Sequence, residues 1–329
     1  MTVLIITHSR DNDCIDRVSD AIEQRGESVF RFDTDRFPTE LQLEVYYGQD
    51  GERLRLTDQH RSLDLREISA VWYRRIATGD MIPDTMDRQL RQASMQESHE
   101  TVQGMIASLD AFHLDPVPHL RRAENKQLQL QIARRLGIDT PRTLISNDPI
   151  AVRRFAAGCP HGMITKMLSS FAVYENDQEK VVFTNPVSVT DLDQLDGLRY
   201  CPMTFQEQLD KTLELRVTVV GTQVFAAAVD SQQTIHARYD WRRQGVTLLD
   251  AWQPYNLPDD LTDRLLKLMR QLGLNYGAID IILTPDNRHV FLEVNPVGEF
   301  FWLDRSPGLP IADALGSLLI SQGQRYQSR

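Results

Sequence analysis

A chain of 329 residues is too long for one small core and suits two or three compact lobes. Hydrophobic residues at 41% and charged residues at 25% are ordinary for a globular protein, and a formal net charge of -10 with pI near 5.3 argues against a surface built for nucleic-acid phosphates. No apolar run approaches the roughly 20 residues of a membrane span; Cys14, Cys159 and Cys201, far apart and in no metal-ligand spacing, read as reduced thiols of a cytoplasmic protein.

The opening MTVLIITHSR has no basic segment before its short apolar run and no small-residue cleavage site after it, so it reads as a strand rather than a signal peptide. Ile15, Val18, Ala21 and Ile22 recur at helical spacing before Gly26, and SVFRFDTD reads as the next strand. This strand, helix, strand order implies a parallel sheet with functional loops at the carboxyl ends of its strands. LQLEVYYGQDGERLRLTD predicts a hairpin turning at Gln49, Asp50 and Gly51, and ISAVWYRR another strand. A long helix is expected from Met86 to Leu109, with Leu90, Ala93, Val102, Met105 and Ile106 as its apolar face and its methionines in the core.

A second lobe is expected from near Pro118, where HLDPVPHL interrupts the helical pattern. Glu124 to Leu136 predicts a helix ending at Gly137, TPRTLIS a strand, and Asn147-Asp148-Pro149 the cap of a helix running to Gly158. GMITKML and KVVFTNPVSV predict two more strands. A third lobe is expected from about Tyr200: MTFQEQL, then LELRVTVVG and TQVFAAAVDS joined at Gly221 and Thr222, then an amphipathic helix over Leu261 to Leu272. YGAIDIILTPDNRHVFLEVNPVG follows as two strands around a Pro285-Asp286-Asn287 turn.

That last hairpin carries the most chemistry. Asp280 lies on its first strand, and Glu293 and Asn295, two residues apart, share one face of the second, so their oxygens can converge. Two carboxylates and an amide carbonyl are hard ligands suited to Mg²⁺, which needs few protein ligands when nucleotide phosphates complete its octahedron. The plain alternative is an acidic hairpin that solvates its outer face. Against it, Asp280 and Glu293 sit inside otherwise apolar strands, where an uncompensated carboxylate is costly.

The strand pair ending in Glu293-Val294-Asn295-Pro296, with Asp280 before it, resembles the metal-binding end of the ATP-grasp superfamily. Lys126 and Lys166 resemble the two lysines this superfamily directs at nucleotide phosphates, and Glu214-Leu215-Arg216 resembles a strand of the ribosomal-protein glutamate ligases. The segments AVWYRR, FRFDTDRFP, NKQLQLQIARRLG, CPMTFQE, LNYGAID and EVNPVGEFFWL are similar to the macrocyclases that build microviridins and other graspetides, nearer the ester-forming branch. The resemblance implies a three-lobed ATP-grasp fold of α/β (α+β) class, with nucleotide between the central and C-terminal lobes. Its parts would be an N-terminal pre-ATP-grasp domain (1–118), a central lobe (119–199) and a C-terminal lobe with the metal site (200–329).

It also implies the chemistry. ATP phosphorylates an Asp or Glu side chain of a ribosomally made precursor peptide, and a Thr or Ser hydroxyl attacks the acyl phosphate to close an ω-ester ring; ω-amide formation, glutamate addition and silent leader binding are the alternatives. Lys126 and Lys166 would hold phosphates. Arg216 would stabilise the transferring phosphoryl or the acceptor carboxylate, and Arg238 or Arg242 the acceptor carboxylate, with Asp240 beside them and Arg74 and Arg75 facing the same cleft unless Arg75 packs the lobes together. Adenine recognition would fall on the strand MTFQEQL, through backbone groups of Gln206, Glu207 and Gln208, with Asp210 or Glu214 reaching the ribose. Where many relatives have a glycine-rich phosphate loop, Lys166 is followed by Met167-Leu168-Ser169-Ser170, so Ser169 and Ser170 would supply the donors. His236 and Asp240 are candidate general bases, and His113 and His119 are expected at the lobe junction. A helical leader, against a central lobe whose VTDLDQL segment offers a docking surface, and a homodimer are the partners implied, with ATP and Mg²⁺ as cofactors.

Overall fold

The computed structural model describes residues 1–58, 61–168, 172–175, 178–181, 184–233 and 248–327. The first lobe is built on a four-stranded parallel sheet. Strand β1 (Thr2–Thr7) leads through helix α1 (Cys14–Glu23) to β2 (Ser28–Asp33) beside it. The hairpin β3 (Gln42–Gly48) and β4 (Gly51–Thr57) with β5 (Ser62–Asp64) forms a separate antiparallel sheet. The chain then returns to the parallel sheet as β6 (Ile68–Tyr73) on the other side of β1, passes through helix α2 (Arg88–Ser108), and adds the short β7 (Phe112–His113). Both faces of β1 are buried, Val3 and Ile5 in one cluster and Leu4 and Ile6 in another, which is why its sequence reads as a continuous apolar run rather than an alternation.

Helix α2 differs from expectation. Its buried residues are Ser98, Val102, Met105 and Ile106, whereas Leu90 is 63% exposed and Ala93 and Met86 are exposed too. Full burial starts at Ser98; the amino-terminal half is held by its Asp87 cap, by Arg91, whose Nε donates to Ile82 O at 3.2 Å, and by Met95 against Gly79.

Pro118 does not break the chain but sits in the first turn of α3 (Val117–Ala123), where a missing N–H costs nothing. Helix α4 (Lys126–Arg135) follows, capped by Asn125, whose Oδ1 accepts from Leu128 N at 3.0 Å. The central sheet has the order β12-β9-β13-β8, all antiparallel, from β8 (Thr143–Ser146), β9 (Met163–Lys166), β12 (Asn185–Val187) and β13 (Met203–Glu207), with α5 (Pro149–Ala157) packed on β8. Between β9 and β12 lies a separate hairpin of β10 (Ala172–Glu175) and β11 (Gln178–Val181), so KVVFTNPVSV is split between two sheets rather than forming one strand. Helix α6 (Val189–Asp193) carries a capping box from Ser188 and Asp191. The MTFQEQL strand, expected with the third lobe, is instead hydrogen-bonded between β8 and β9.

The C-terminal sheet has the order β16-β15-β14-β17-β18: β14 (Leu213–Val220), β15 (Gln223–Val229), β16 (Gln253–Pro254), β17 (Tyr276–Leu283) and β18 (His289–Asn295). Leu215, Val217, Val219, Ile279, Ile281 and Val294 form the face packed against α4 and the amphipathic α7 (Asp259–Leu272). The alternate residues face the other way, toward the first lobe. The chain ends with α8 (Phe301–Arg305) and α9 (Ile311–Gln327), and α9 returns to pack on α1 and β6. A Cβ on Gly316 of α9 would stand 3.2 Å from the Cβ of Ala21, so the two helices touch nearly backbone to backbone. First and third lobes thereby share one core, in which Ile15, Val18 and Trp72 meet Tyr276, Phe300, Trp302 and Leu315.

Asp115 pins the lobes together just after β7. It is 4% exposed, and its carboxylate accepts from Asn275 N at 2.6 Å and Tyr276 N at 3.2 Å, capping the start of β17. Burial pushes its pKa up to about 7 against the pull of those two N–H groups. His119 Nδ1 lies 3.0 Å from Gly273 O at the same junction, as expected, while His113, its pKa lowered by burial, packs within the first lobe near Leu109 O.

Candidate active site

Strand register gathers the expected residues into one row. Arg216 of β14 stands opposite Asp280 of β17, and Asp280 opposite Glu293 of β18, so the three side chains share a face; Asn295 is one step along, opposite Ala278. The Arg216 Nη1 donates to Asp280 Oδ1 at 2.8 Å, and its Nη2 to Glu299 O at 3.2 Å. From the other side Lys126, first residue of α4, places Nζ 3.3 Å from Glu293 Oε2 and 3.2 Å from Val294 O. Asn295 Oδ1 accepts from Val297 N at 3.1 Å.

Burial alone would lower the pKa of Arg216, but the charge and hydrogen bond of Asp280, with Tyr276 and Glu293 nearby, raise it instead. Arg216 is therefore a fixed cation, and its Nε is buried without a hydrogen-bond partner. Two cations stand among two carboxylates. The loop after Asn295 closes over them: Tyr276 Oη donates to Gly298 O at 2.6 Å, and a Cβ on Gly298 would collide with Ala278 Cβ and lie 3.1 Å from Arg216 Nη2. Only glycine fits so near the sheet.

As a Mg²⁺ site the donors fit by their chemistry: two carboxylates and an amide oxygen on one face, with a lysine and an arginine beside them for anionic phosphates. Among the described residues no group of three or more His, Cys, Asp or Glu side chains is placed to hold a metal. This set has only two such residues and would depend on further oxygens from the nucleotide.

Over 98% of its length the chain is 52% identical to macrocyclase MdnC from Microcystis aeruginosa MRC, solved with the precursor peptide MdnA, covering 100% of that chain with a TM-score of 0.88. It belongs to the graspetide ATP-grasp macrocyclases. The macrocyclase is also 38% identical to a RiPP-associated ATP-grasp ligase from Chryseobacterium gregarium, solved with ADP and a leader and core peptide, over 98% of this chain and 97% of that one at TM-score 0.93. With macrocyclase MdnB from Microcystis aeruginosa MRC it shares 39% identity over 97% and 99%, at TM-score 0.81. Residues 2–121 match the MvdD pre-ATP grasp domain family. No curated protein matches the chain. The fold is the three-lobed ATP-grasp fold of a ligase.

On the central lobe of the macrocyclase, Lys166 ends β9, half-buried and in register with Thr204. The Gln206 side chain is 2% exposed and donates to Thr143 Oγ1 at 3.0 Å, and Glu207 Oε1 accepts from Arg142 N at 2.8 Å, so both side chains serve the lobe itself. The backbone N–H groups of Glu207 and Gln208 are donated to Arg142 O and Gly162 O. A base edge at this strand would therefore meet other groups than those two N–H donors. Asp210 pairs with His161 at the surface at 3.2 Å. Glu214 is held by Lys211 at 2.7 Å, both side chains largely buried.

Arg74 does not face a cleft. Its side chain and that of Asp11 are both 0% exposed, with Nε to Oδ2 at 3.1 Å. The buried Arg74 charge and hydrogen bonds from Thr7 and Asn12 outweigh desolvation and hold Asp11 down at about 2. Arg75 bridges lobes, with Nη1 3.5 Å from Asp11 Oδ1 and Nη2 donating to Glu299 Oε1 at 3.0 Å, which is the packing alternative. Ser169, Ser170, Arg238, Asp240, Arg242 and His236 lie outside the described residues. Lys211, Glu299 and Gln129 are residues the sequence reading missed. Lys211 has a faint signal, three residues before Glu214; Glu299 acts through its backbone carbonyl as well as its carboxylate, and Gln129 shows nothing in sequence beyond a polar residue on an amphipathic helix.

Proposed function

We propose that this macrocyclase uses ATP to phosphorylate Asp or Glu side chains of a ribosomal precursor peptide and closes ω-ester rings with Thr or Ser hydroxyls. The observation that carries the reading is the Arg216–Asp280–Glu293 row with Lys126 and Asn295 beside it, in a chain similar end to end to MdnC with its bound precursor. A peptide carboxylate oxygen attacks the γ-phosphorus and ADP leaves; the hydroxyl oxygen then attacks the acyl carbon, phosphate leaves, and the hydroxyl proton goes with it. Each ring thus removes one water from the peptide.

Arg216, held rigidly by Asp280 and Glu299 O, supplies fixed positive charge where the phosphoryl group passes, without reorganising during the step. Lys126 and Lys166 approach the phosphates from α4 and β9, and Ser169 and Ser170 follow as loop donors. The base would lie against the strand of Gln206 to Gln208, reached by groups other than the engaged Glu207 and Gln208 N–H donors, with Asp210 or Glu214 toward the ribose. Arg238, Asp240 and Arg242 would serve the peptide carboxylate, with Arg75 at the lobe seam. Bound at Asp280, Glu293 and Asn295, Mg²⁺ would neutralise β- and γ-phosphate oxygens. Recognition of a helical leader, a homodimeric assembly and a cytoplasmic setting complete the reading; Cys14, Cys159 and Cys201 are all free thiols, and no helix among the described residues is long and apolar enough to cross a membrane.

Incubation with ATP, Mg²⁺ and the precursor peptide encoded beside the enzyme tests this, read by mass. Loss of one water per ring, with rings reopened by mild alkali, is expected; alkali-resistant rings would make them amides. A mass gain would mean residue addition, and unchanged mass with retained peptide binding a silent binder.

A further inference from the structure

Strand β18 is the outer strand of its sheet, so the peptide groups along its open edge need partners from elsewhere. Asp139 O accepts from Phe291 N at 2.8 Å. The other partner is Gln129 of α4, whose side chain is 0% exposed. Its Nε2 donates to Val294 O at 2.8 Å and to Ala123 O at 2.6 Å, and its Oε1 accepts from Val294 N at 2.9 Å. A side-chain amide thus binds both peptide groups of Val294 as a neighbouring strand would. Lys126, three residues earlier on the same helix, donates to the same carbonyl.

Val294 stands between Glu293 and Asn295, with its side chain in the core on the opposite face. We propose that Gln129 is a positioning residue for the metal and nucleotide site, fixing the height and tilt of Glu293 and Asn295 relative to Lys126. The inference rests on the assignment of those two residues as metal ligands. Helix α4 carries the phosphate lysine and the strand clamp one turn apart, so it can hold both halves of the site in one geometry. An apolar side chain of the same length would fill the space but take the partner from Val294 N and from Ala123 O and leave Val294 O to Lys126 alone, and the strand would have to shift to find water.

The test compares Gln129→Met with Ile132→Val, a mild core truncation on the same helix at a residue 3% exposed. Amide hydrogen exchange at Val294 is followed in the nucleotide-free protein, and the Mg²⁺ dependence of ADP binding by calorimetry. Gln129→Met should speed Val294 exchange and raise the Mg²⁺ concentration for half-maximal ADP binding, each about tenfold beyond Ile132→Val, in keeping with loss of the acceptor that holds the Val294 N–H on this edge. Gln129→Asn, its amide one methylene short, should fall between, and it serves as the readout if the methionine variant does not fold. Mg²⁺ dependence indistinguishable from Ile132→Val overturns the proposal. Glu293→Ala separates the readings. If it abolishes the Mg²⁺ dependence while the Gln129 variants keep theirs, only the positioning role falls; if it leaves that dependence intact, the ligand assignment falls and the inference with it.

Discussion

Glu293→Gln separates the structural from the chemical role of the Lys126–Glu293 pair. At the 3.3 Å separation of Nζ and Oε2, an effective dielectric of about 20 gives a raw attraction of ~5 kcal/mol. The side chains are 19% and 22% exposed, so solvent screening and the cost of desolvating both charges remove most of this, leaving ~1 kcal/mol of net stability. The amide also keeps an oxygen for Lys126. Melting of the nucleotide-free protein should therefore fall by only a few degrees, since ~1 kcal/mol corresponds to ~2–4 °C in a chain of this order of size. The Mg²⁺ requirement should change far more, because a charged ligand becomes a neutral one. Losing an outer-shell partner of a metal costs up to ~100-fold in affinity, and a direct ligand should cost at least that. Thermal melting, calorimetric ADP titration at stepped Mg²⁺ and ring closure by mass read the two effects separately. A small loss in melting temperature with an unchanged Mg²⁺ titration would refute the metal assignment, and a drop well beyond ~10 °C would show that the pair is mainly structural.

Gly298→Ala should cost ~1–3 kcal/mol through overpacking against Ala278 and lift the loop that Arg216 and Tyr276 hold, so ring-closure kcat should fall more than ADP affinity in steady-state assays. Arg74→Met leaves Asp11 charged in a fully buried site, a loss of ~3 kcal/mol, at the low end for a broken buried pair because Arg75 remains nearby; denaturant midpoints measure it. Asp115 has a folded pKa raised to about 7 from 3.8, so the stability it contributes is present below about pH 4 and lost as pH rises through about 7. Relative to Asp115→Asn, wild-type melting temperature should fall between pH 5 and pH 8 in scanning calorimetry.

The parts of the fold legible in sequence were those in which local pattern and tertiary role coincide. Asp280, Glu293 and Asn295 were readable because polar residues interrupting apolar strands at period two must share a face, and register then aligned them with Arg216. Lys126 was singled out by the resemblance to the superfamily's phosphate lysines, since a lysine on a helix is by itself an ordinary surface residue. Leu90 and Ala93 misled because periodicity marks which side of a helix is apolar, not how far along it the lobe extends. Arg74 misled because its type suggests an anion site while the residue that neutralises it, Asp11, is distant in sequence. The Met203–Glu207 strand pairs with strands earlier in the chain, and nothing local records which sheet a strand joins. Gln129 was invisible for the same reason, since its partner Val294 lies far along the chain.

The return of α9 onto α1 and β6 has a mechanical corollary. Because the first and last thirds of the chain share a core, they must turn as one rigid jaw, while the middle third, with its own small cluster around Val152, Met163, Leu198 and Phe205, is free to be the other. Its hinges would be the two crossings near 140–142 and 208–211, since Ile138, Asp139 and Thr212 are already fixed to the C-terminal lobe. Distance probes placed from the middle third to either end of the chain should then report one motion with one amplitude, and probes between the two ends should stay silent.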